Sequence, residues 1–241
     1  MKQPHDNWGA YYDFVYEQTF GSFYNNLTIE TVNTINDILP EGNIIDFGAG
    51  TGRLSFPLIE HGHSVIAVEK SNGMVEEFKR KASNYNIDVK IYNCSISDYQ
   101  NGKADLAIAL FTVLSYSITE DELSNNIKTI CQHINPNGLF YFDLPKPVFF
   151  NSGLLINIQS PNFNRIVELK NIKENDIYIY KESCNGIYKG QEFNYEDEFK
   201  IRYWTLNTLD ELLAENGFSD TLKDFPQFNT TGSTYKLYKR Q

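Results

Sequence analysis

The residues of this chain that could do chemistry lie around a glycine-rich turn. An apolar run ends at Asp46, the glycines Gly48, Gly50 and Gly52 follow at alternate positions, and Glu69 closes a second apolar run. Glycines let the backbone approach a ligand closely and adopt positive φ. A carboxylate at the end of the second strand can accept hydrogen bonds from both ribose hydroxyls. The pattern therefore predicts nucleoside binding.

The glycine spacing also separates two kinds of nucleotide ligand. A dinucleotide fingerprint, G-x-G-x-x-G, would need its third glycine at position 53, where the chain has Arg53. Asp46 places a negative charge where a diphosphate would be repelled and an ammonium group attracted. A positively charged nucleoside is therefore favoured, and a nicotinamide-dependent oxidoreductase remains the less favoured alternative.

In its D-x-G-x-G-x-G motif, formed by Asp46, Gly48, Gly50 and Gly52, the chain resembles the class I S-adenosylmethionine-dependent methyltransferases. Later segments are similar to the family in the family's own order. They are a strand with its adenine-contacting turn at 89–99, a fourth strand at 104–111, a turn into a fifth strand at 135–143 and a late helix around 212–218. The resemblance is close over residues 40–145 and looser over residues 203–240.

The resemblance implies an α/β fold with a Rossmann-like, seven-stranded sheet, mostly parallel, whose last strand at 232–238 is antiparallel. We expect one methyltransferase domain over residues 1–241, with an N-terminal helical cap at 1–40 and a donor-binding core at 41–145 and 203–241. Residues 146–202 interrupt the alternation of helices and strands. They predict an inserted antiparallel β lid, with strands at 165–170, 176–181, 187–195 and 198–204 and a hairpin turn at Asn185-Gly186.

Short polar signals predict where helices begin and end. Ser71 is a candidate N-cap, and Gly62 a candidate helix terminus. Capping-box spacing occurs twice, in Thr119 with Glu122 and in Thr208 with Glu211.

Composition excludes several classes of partner. A net charge of −10 argues against a surface that follows nucleic-acid phosphates, because such binding needs clustered Lys and Arg. The three cysteines form no metal-like spacing, so we expect reduced thiols, no metal and a cytoplasmic location. The chain contains no run of about 18 apolar residues, and no membrane partner is expected. A monomer or homodimer is expected.

The resemblance implies S-adenosylmethionine as the cofactor and a set of residues around it. Asp46 would orient the methionine end and Glu69 would bind the ribose. Met74 would contact adenine, although packing against Phe78 is an equal alternative. Ser95 stands where the family often has Asp. The full predicted set is Tyr11, Tyr16, Asp46, Gly48, Ala49, Gly50, Gly52, Glu69, Lys70, Met74, Ser95, Ile96 and Phe111.

An aromatic N-terminal segment, Tyr12-Asp13-Phe14-Val15-Tyr16, resembles the Y-D-x-x-Y segment in which tyrosines of small-molecule methyltransferases close over the sulfonium. Electron-rich ring faces attract cations. Tyr16 is the favoured residue and Tyr11 the second. The alternative is an amphipathic helix that packs its aromatic side on the domain.

Methyl transfer is an in-line displacement, so positioning of the acceptor outweighs acid-base assistance. Tyr16, Tyr116 and Asp143 are the candidate catalytic residues, because Tyr116 and Asp143 follow strands where parallel sheets place ligands. His133 lies late in a helix, where a structural role is favoured. We expect a small-molecule methyltransferase acting on a nitrogen or oxygen of a polar acceptor, of the amino sugar or amino-acid derivative type. The alternative is a non-catalytic regulatory or scaffold protein that binds S-adenosylmethionine.

Overall fold

A helical cap precedes the first strand. In the computed structural model, which describes residues 3–151, 153–172 and 176–241, a single 3-10 turn at Gly9–Tyr11 leads into α1 (Tyr12–Phe20) and α2 (Ser22–Ile38). Residues 1–2 of the predicted cap, and residues 152 and 173–175 of the predicted lid, lie outside this description. Within the described ranges, no helix is long and apolar enough to cross a membrane.

Strands and helices then alternate as far as residue 145, except that a loop joins the third strand to the fourth. They are β1 (Asn43–Phe47), α3 (Ser55–Glu60), β2 (Ser64–Glu69), α4 (Asn72–Tyr85), β3 (Lys90–Asn93), β4 (Ala104–Ala109), a 3-10 turn (Val113–Tyr116), α5 (Glu120–Gln132) and β5 (Ile134–Pro145). After β5 come α6 (Pro147–Asn151), β6 (Leu154–Ser160), β7 (Phe163–Asn171), β8 (Ile177–Tyr188) and β9 (Gln191–Arg202). The chain ends with α7 (Leu206–Glu215), β10 (Phe218–Asp220), a 3-10 turn (Pro226–Phe228) and β11 (Ser233–Arg240).

The main sheet has seven strands in the order β3-β2-β1-β4-β5-β11-β10, which confirms the predicted fold class. The strands from β3 to β5 are parallel, and β11 runs antiparallel to β5. Strands β1 and β4 are buried on both faces except at Asn43 and Asp105, and most of their residues are apolar, as is typical of central parallel strands. The carboxyl ends of β1, β2 and β4 therefore open onto one edge of the sheet.

Two of the three predicted N-caps are confirmed. Ser71 accepts a hydrogen bond from the Met74 N–H at the start of α4, and Thr119 and Glu122 form a reciprocal capping box at the start of α5. The third was wrong, because α7 begins earlier than expected. Thr205, still in extended backbone after β9, accepts a hydrogen bond from the Thr208 N–H, so Thr208 lies inside the first turn.

The insertion forms its own antiparallel sheet in the order β6-β7-β8-β9, here called the lid sheet. The predicted hairpin turn at Asn185-Gly186 was wrong, since these residues lie inside β8 opposite Asn194 and Phe193. A Cβ on Gly186 would lie 2.8 Å from the carbonyl oxygen of Asn162, so close packing explains this glycine. The turn between β8 and β9 is at residues 189–190, both with positive φ.

A buried ion pair joins the lid sheet to the cap. Arg165 is fully buried, its Nε donates to Glu182 Oε1 over 2.9 Å, and its Nη1 donates to Thr19 Oγ1 over 2.8 Å. The Tyr195 hydroxyl donates to the same Glu182 oxygen over 2.5 Å. Since desolvated charges need such partners, these contacts connect α1 to β7, β8 and β9.

Two glycines bring the N-terminal segment against the start of α4. A Cβ on Gly73 would lie 2.2 Å from the Asp6 carbonyl oxygen, and a Cβ on Gly9 would lie 2.3 Å from that of Gly73. The Ser71 hydroxyl donates to the Asp6 carboxylate over 2.8 Å. The backbone of the segment is therefore in direct contact with the helix that follows Glu69.

Gly73→Ala tests this contact. Alanine inside a helix normally stabilises a protein by about 0.5–1 kcal/mol relative to glycine. Here we expect a loss of about 1–3 kcal/mol in the free energy of unfolding, because the added methyl group overlaps backbone atoms. Urea denaturation measures the change, with the exposed neighbour Asn72→Ala as the matched control. Stabilisation by Gly73→Ala would contradict the close contact.

Candidate active site

The loop after β1 requires its three glycines for different reasons. Gly48, Gly50 and Gly52 all have positive φ, at 75°, 57° and 88°. A Cβ on Gly48 would lie 2.5 Å from a methyl group of Val113, and one on Gly52 would lie 2.3 Å from the ring of Phe56. A Cβ on Gly50 would meet no atom within 4 Å. Gly48 and Gly52 thus allow close packing, whereas Gly50 supplies only the turn and leaves space above the loop.

Asp46 lies in β1 just before this loop, and only 3% of its surface is exposed. Its carboxylate accepts a hydrogen bond of 2.6 Å from the hydroxyl of Ser55, the first residue of α3. Burial raises the pKa of Asp46 to about 6, against the opposing effect of this hydrogen bond. A cationic group beside it would favour the charged form.

Glu69 joins two loops through its carboxylate. One oxygen accepts the Gly50 N–H over 2.9 Å, and the other accepts the Ser71 N–H over 2.8 Å. Burial raises the pKa of Glu69, and the two backbone hydrogen bonds oppose that shift. Each carboxylate oxygen keeps a further lone pair for a ligand hydroxyl.

These groups line a cavity of about 160 Å³, here called the glycine-loop cavity. Its wall includes Asp46 and Gly48 from the end of β1 and the glycine loop, Glu69 from the end of β2, and residues of the turn after β3. Ten of the predicted cofactor residues line it: Asp46, Gly48, Ala49, Gly50, Glu69, Lys70, Met74, Ser95, Ile96 and Phe111.

Met74 and Ser95 are the residues whose contacts with adenine the sequence left open. Met74 lines the glycine-loop cavity, whereas Phe78 packs on the ring of Phe56 at 4.7 Å. The Ser95 hydroxyl donates to Asp98 over 2.6 Å. The proton of Ser95 is therefore already used, and its oxygen accepts the Asp98 N–H over 3.2 Å.

Arg53, the residue that breaks the dinucleotide fingerprint, also lines this cavity. Its guanidinium lies 4.9 Å from the centre of the Phe111 ring and 5.4 Å from that of Tyr24. Its Nη1 donates to Thr28 Oγ1 over 3.1 Å. Arg53 thus connects the glycine loop to α2 and to the residues after β4.

A second cavity of about 300 Å³, here called the aromatic cavity, adjoins the first. The two share four wall residues, His5, Tyr12, Phe111 and Tyr116. Half of the aromatic cavity's lining is aromatic: Tyr12, Tyr16, Phe20, Phe23, Tyr24, Phe111, Tyr116, Phe149, Tyr180, Phe199 and Tyr235. Among the described residues that line it, Asp143 is the one carboxylate, and none is Lys or Arg.

Asp143 lies within β5, opposite Tyr235 of β11. Its Oδ1 accepts the N–H groups of Phe111 and Thr112, over 2.5 and 3.0 Å. Both of these residues have positive φ, 70° and 68°, a backbone conformation that residues other than glycine rarely adopt. Burial raises the pKa of Asp143. The carboxylate therefore holds the loop after β4 in shape, and a catalytic role for it remains a prediction.

The tyrosines of α1 divide between the cavities and the lid sheet. Tyr16 lines the aromatic cavity but not the glycine-loop cavity, and Tyr12 lines both. Tyr11 lines neither cavity and stacks on Phe193 of β9 at 4.7 Å. Residues 12 and 16 are four apart and share one helix face, whereas residue 11 points in a different direction. Tyr11 was predicted after Tyr16, but this spacing is the signal that could have favoured Tyr12 instead.

His5 was not among the predicted site residues. Its Nε2 lies 2.9 Å from the Tyr116 hydroxyl, and its backbone N–H donates to Asp197 Oδ2 over 2.7 Å. Burial lowers the pKa of His5 to about 4, so the imidazole is neutral at pH 7. No local sequence pattern marks this residue.

The outer residues of the predicted set also have clear positions. Gly52 lines neither cavity; it packs closely against the ring of Phe56. Lys70 lies beside Glu69, its ammonium 5.5 Å from the centre of the Tyr116 ring, and burial lowers its pKa. Within residues 3–151, 153–172 and 176–241, no three His, Cys, Asp or Glu side chains are arranged to hold a metal ion.

The arrangement fits S-adenosylmethionine. A buried carboxylate faces the space above the glycine loop, where a ligand ammonium group could bind, and a second is poised for two ribose hydroxyls. The adenine end would meet Met74, Ser95 and Ile96.

Comparison with known proteins agrees with this geometry. A family model described as a methyltransferase domain matches residues 44–138. An uncharacterized methyltransferase of Oceanobacillus iheyensis is 25% identical over 130 residues, which are 54% of this chain and 56% of the relative. The chain spans about half the length of the curated relatives it matches first.

Solved structures share the fold at low identity. An S-adenosylmethionine-dependent methyltransferase from Clostridium acetobutylicum has a TM-score of 0.81 and 18% identity, covering 95% of this chain and 97% of its own. The amino pentose methyltransferase CalS10 from Micromonospora echinaspora has a TM-score of 0.70 and 15% identity, covering 90% and 91%. Residues 44–138 thus match a methyltransferase domain, and the whole chain shares its fold with S-adenosylmethionine-dependent methyltransferases, which use S-adenosylmethionine as the methyl donor.

Proposed function

We propose that this protein transfers a methyl group from S-adenosylmethionine to a nitrogen or oxygen of a small polar molecule held in the aromatic cavity. The observation that carries the proposal is the common wall of the two cavities, formed by His5, Tyr12, Phe111 and Tyr116. A donor in the glycine-loop cavity and an acceptor in the aromatic cavity would meet at these four residues. The protein's main contribution is to align them for in-line transfer.

The donor supplies an electrophilic methyl group on a positively charged sulfur. Asp46 would attract its ammonium group, and Glu69 would accept hydrogen bonds from its ribose hydroxyls. Of the aromatic rings at the common wall, those of Phe111 and Tyr116 already have the cations of Arg53 and Lys70 at 4.9 and 5.5 Å from their centres. Tyr12 is therefore the ring left to contact the cationic sulfur, because aromatic faces carry partial negative charge.

The lining of the aromatic cavity favours an amino sugar over an amino-acid derivative. A carboxylate on the acceptor would meet Asp143 and no Lys or Arg side chain among the described lining residues, so its desolvation would be uncompensated. The C–H face of a sugar ring can pack on aromatic rings, and six of the aromatic lining residues are tyrosines. CalS10, a structural neighbour, is named as an amino pentose methyltransferase.

The cellular setting follows from the same features. The net charge of −10 disfavours nucleic acid as the acceptor. The cysteines Cys94, Cys131 and Cys184 are free thiols, which supports the cytoplasm as the compartment. We expect a monomer or a homodimer.

A labelled-donor assay tests the proposal. Purified protein is incubated with methyl-labelled S-adenosylmethionine and separate small-metabolite, protein and RNA fractions of a cell lysate. We expect label in the small-metabolite fraction. Label confined to protein or RNA would overturn the proposed acceptor class. Donor binding without transfer to any fraction would favour the non-catalytic alternative.

Glu69→Gln tests the ribose contact. The substituted amide has one oxygen, so its NH2 group must face the N–H of either Gly50 or Ser71, and one hydrogen bond is lost. We expect the dissociation constant for S-adenosylmethionine to rise about 10- to 100-fold, in line with hydrogen bonds to a charged group. Isothermal titration calorimetry measures it. Glu76→Gln, an exposed change on α4, is the control and should bind as the wild type does.

Asp46→Asn separates donor binding from stability. Because the folded-state pKa of about 6 lies above the ordinary value of 3.8, the folded protein binds this proton more tightly than the unfolded chain does. The contribution of Asp46 to stability is therefore most favourable below about pH 4 and falls, by about 3 kcal/mol in all, as the pH rises to about 6.

The variant should consequently match the wild type in free energy of unfolding at pH 4 and exceed it by about 1–3 kcal/mol at pH 7.5. Its affinity for S-adenosylmethionine should fall because the ammonium loses its counter-charge. Urea denaturation from pH 4 to 8 and calorimetry measure the two effects. A wild-type advantage that grows with pH would contradict the sign.

A further inference from the structure

We propose that Tyr116 and His5 form a relay that carries the acceptor's proton out of the aromatic cavity, with Asp197 stabilising the charge that results. This inference rests on the proposed function and adds two groups that handle the proton. Both Tyr116 and His5 belong to the four-residue wall shared by the two cavities. They are therefore within reach of the atom that gains the methyl group.

Among those four wall residues, only His5 has a basic nitrogen. Phe111 has no polar atom, and burial raises the pKa values of the Tyr12 and Tyr116 hydroxyls well above the ordinary value, so both are neutral phenols. The His5 imidazole is also neutral at pH 7 and hence able to accept a proton. Its Nε2 lies 2.9 Å from the Tyr116 oxygen, a distance at which a proton can pass.

The surroundings of the ring select one tautomer. Nδ1 lies 3.8 Å from Asp197 Oδ2, and a lone pair on Nδ1 would be repelled by that carboxylate. The proton of the neutral ring is therefore on Nδ1, which leaves Nε2 to accept a hydrogen bond from the Tyr116 hydroxyl. Asp197 is 5% exposed and also accepts the Trp8 indole N–H over 3.0 Å and the His5 backbone N–H.

Charged groups on several elements act on His5. Asp197 and Asp6 favour the imidazolium, whereas Arg165 and Lys70 disfavour it, and burial disfavours it most. The imidazolium is thus a short-lived carrier beside Asp197 and not a resting state. Its proton leaves to water when the product leaves.

The step balances in protons and charge. An amine that has gained a methyl group is a cation and must lose one N–H proton. That proton passes to the Tyr116 oxygen as the Tyr116 hydroxyl proton passes to His5 Nε2. One N–H bond of the amine breaks, one N–H bond on the imidazole forms, and the phenol is restored.

The backbone at His5 is unusual for a surface segment. Its φ is 68°, in the left-handed region, and the backbone N–H is held by a carboxylate from the lid sheet, 192 residues away in sequence. Such conformations persist only where several contacts impose them. The Gly73 contact and the Ser71 to Asp6 hydrogen bond impose this one from the side of the core.

Nuclear magnetic resonance of the imidazole rings tests the resting state without any acceptor. The protein has four histidines, so His5→Gln, His61→Gln, His63→Gln and His133→Gln assign every ring signal. In the complex with S-adenosylhomocysteine we expect His5 to be neutral from pH 6 to 8, with its proton on Nδ1. A charged ring at pH 7, or a proton on Nε2, would overturn the relay.

Kinetics with 3-amino-3-deoxy-D-glucose as the probe acceptor test the transfer. A Gln amide at position 5 can accept the Tyr116 hydrogen bond but cannot take up a proton. We expect His5→Gln and Tyr116→Phe each to lower kcat by about 10²- to 10⁴-fold with little change in KM. The double variant should be no slower than the slower single variant, because the two groups act as one unit.

The exposed His61→Gln is the matched control and should keep wild-type rates. If His5→Gln keeps near-wild-type kcat, His5 only orients Tyr116 and the relay fails. If the wild type does not methylate the probe, the proposed acceptor class is at fault, and a charged His5 ring or a proton on Nε2 in the spectra would still overturn the relay.

Discussion

Two buried carboxylates and a half-buried one on the sheet must each find hydrogen-bond donors, and this requirement shapes the site. Asp46, Glu69 and Asp143 lie on β1, β2 and β5, and burial raises the pKa of each. Burial of a charge without partners would cost several kcal/mol. The donors come from the loops that surround the glycine-loop cavity, such as the Gly50 and Ser71 N–H groups on Glu69. The loops must therefore take the shape in which their N–H groups can donate hydrogen bonds to the carboxylates.

The same constraint explains why a site for a cationic ligand can be stable before the ligand arrives. Each acid is held by neutral donors, which orient it without neutralising its charge. A ligand that brings positive charge to Asp46 removes part of a desolvation penalty that the fold already bears. Affinity for such a donor and reduced stability of the free protein thus have a common physical origin.

The core could be predicted from sequence because its signals are local. The glycine motif and the apolar strands lie within about thirty residues, and each glycine performs a task that its own turn defines. The Asn185-Gly186 turn could not be recognised as wrong, since Gly186 is required by Asn162 and Phe193 on neighbouring strands. His5 could not be found at all, because its carboxylate partner lies on β9 near the other end of the chain.

Most residues that line the aromatic cavity, the proposed acceptor site, lie outside the segment that the family model matches. The family model matches residues 44–138, which carry the glycine loop and Glu69. Most of the aromatic cavity's wall comes from outside that range, from the cap, α6, the lid sheet and β11. The Arg165 ion pair and Asp197 join cap to lid, so the cavity takes its shape only when the two are assembled. The glycine loop and Glu69 therefore belong to the segment that is shared with other methyltransferases, whereas the aromatic cavity is built mostly from residues outside that segment.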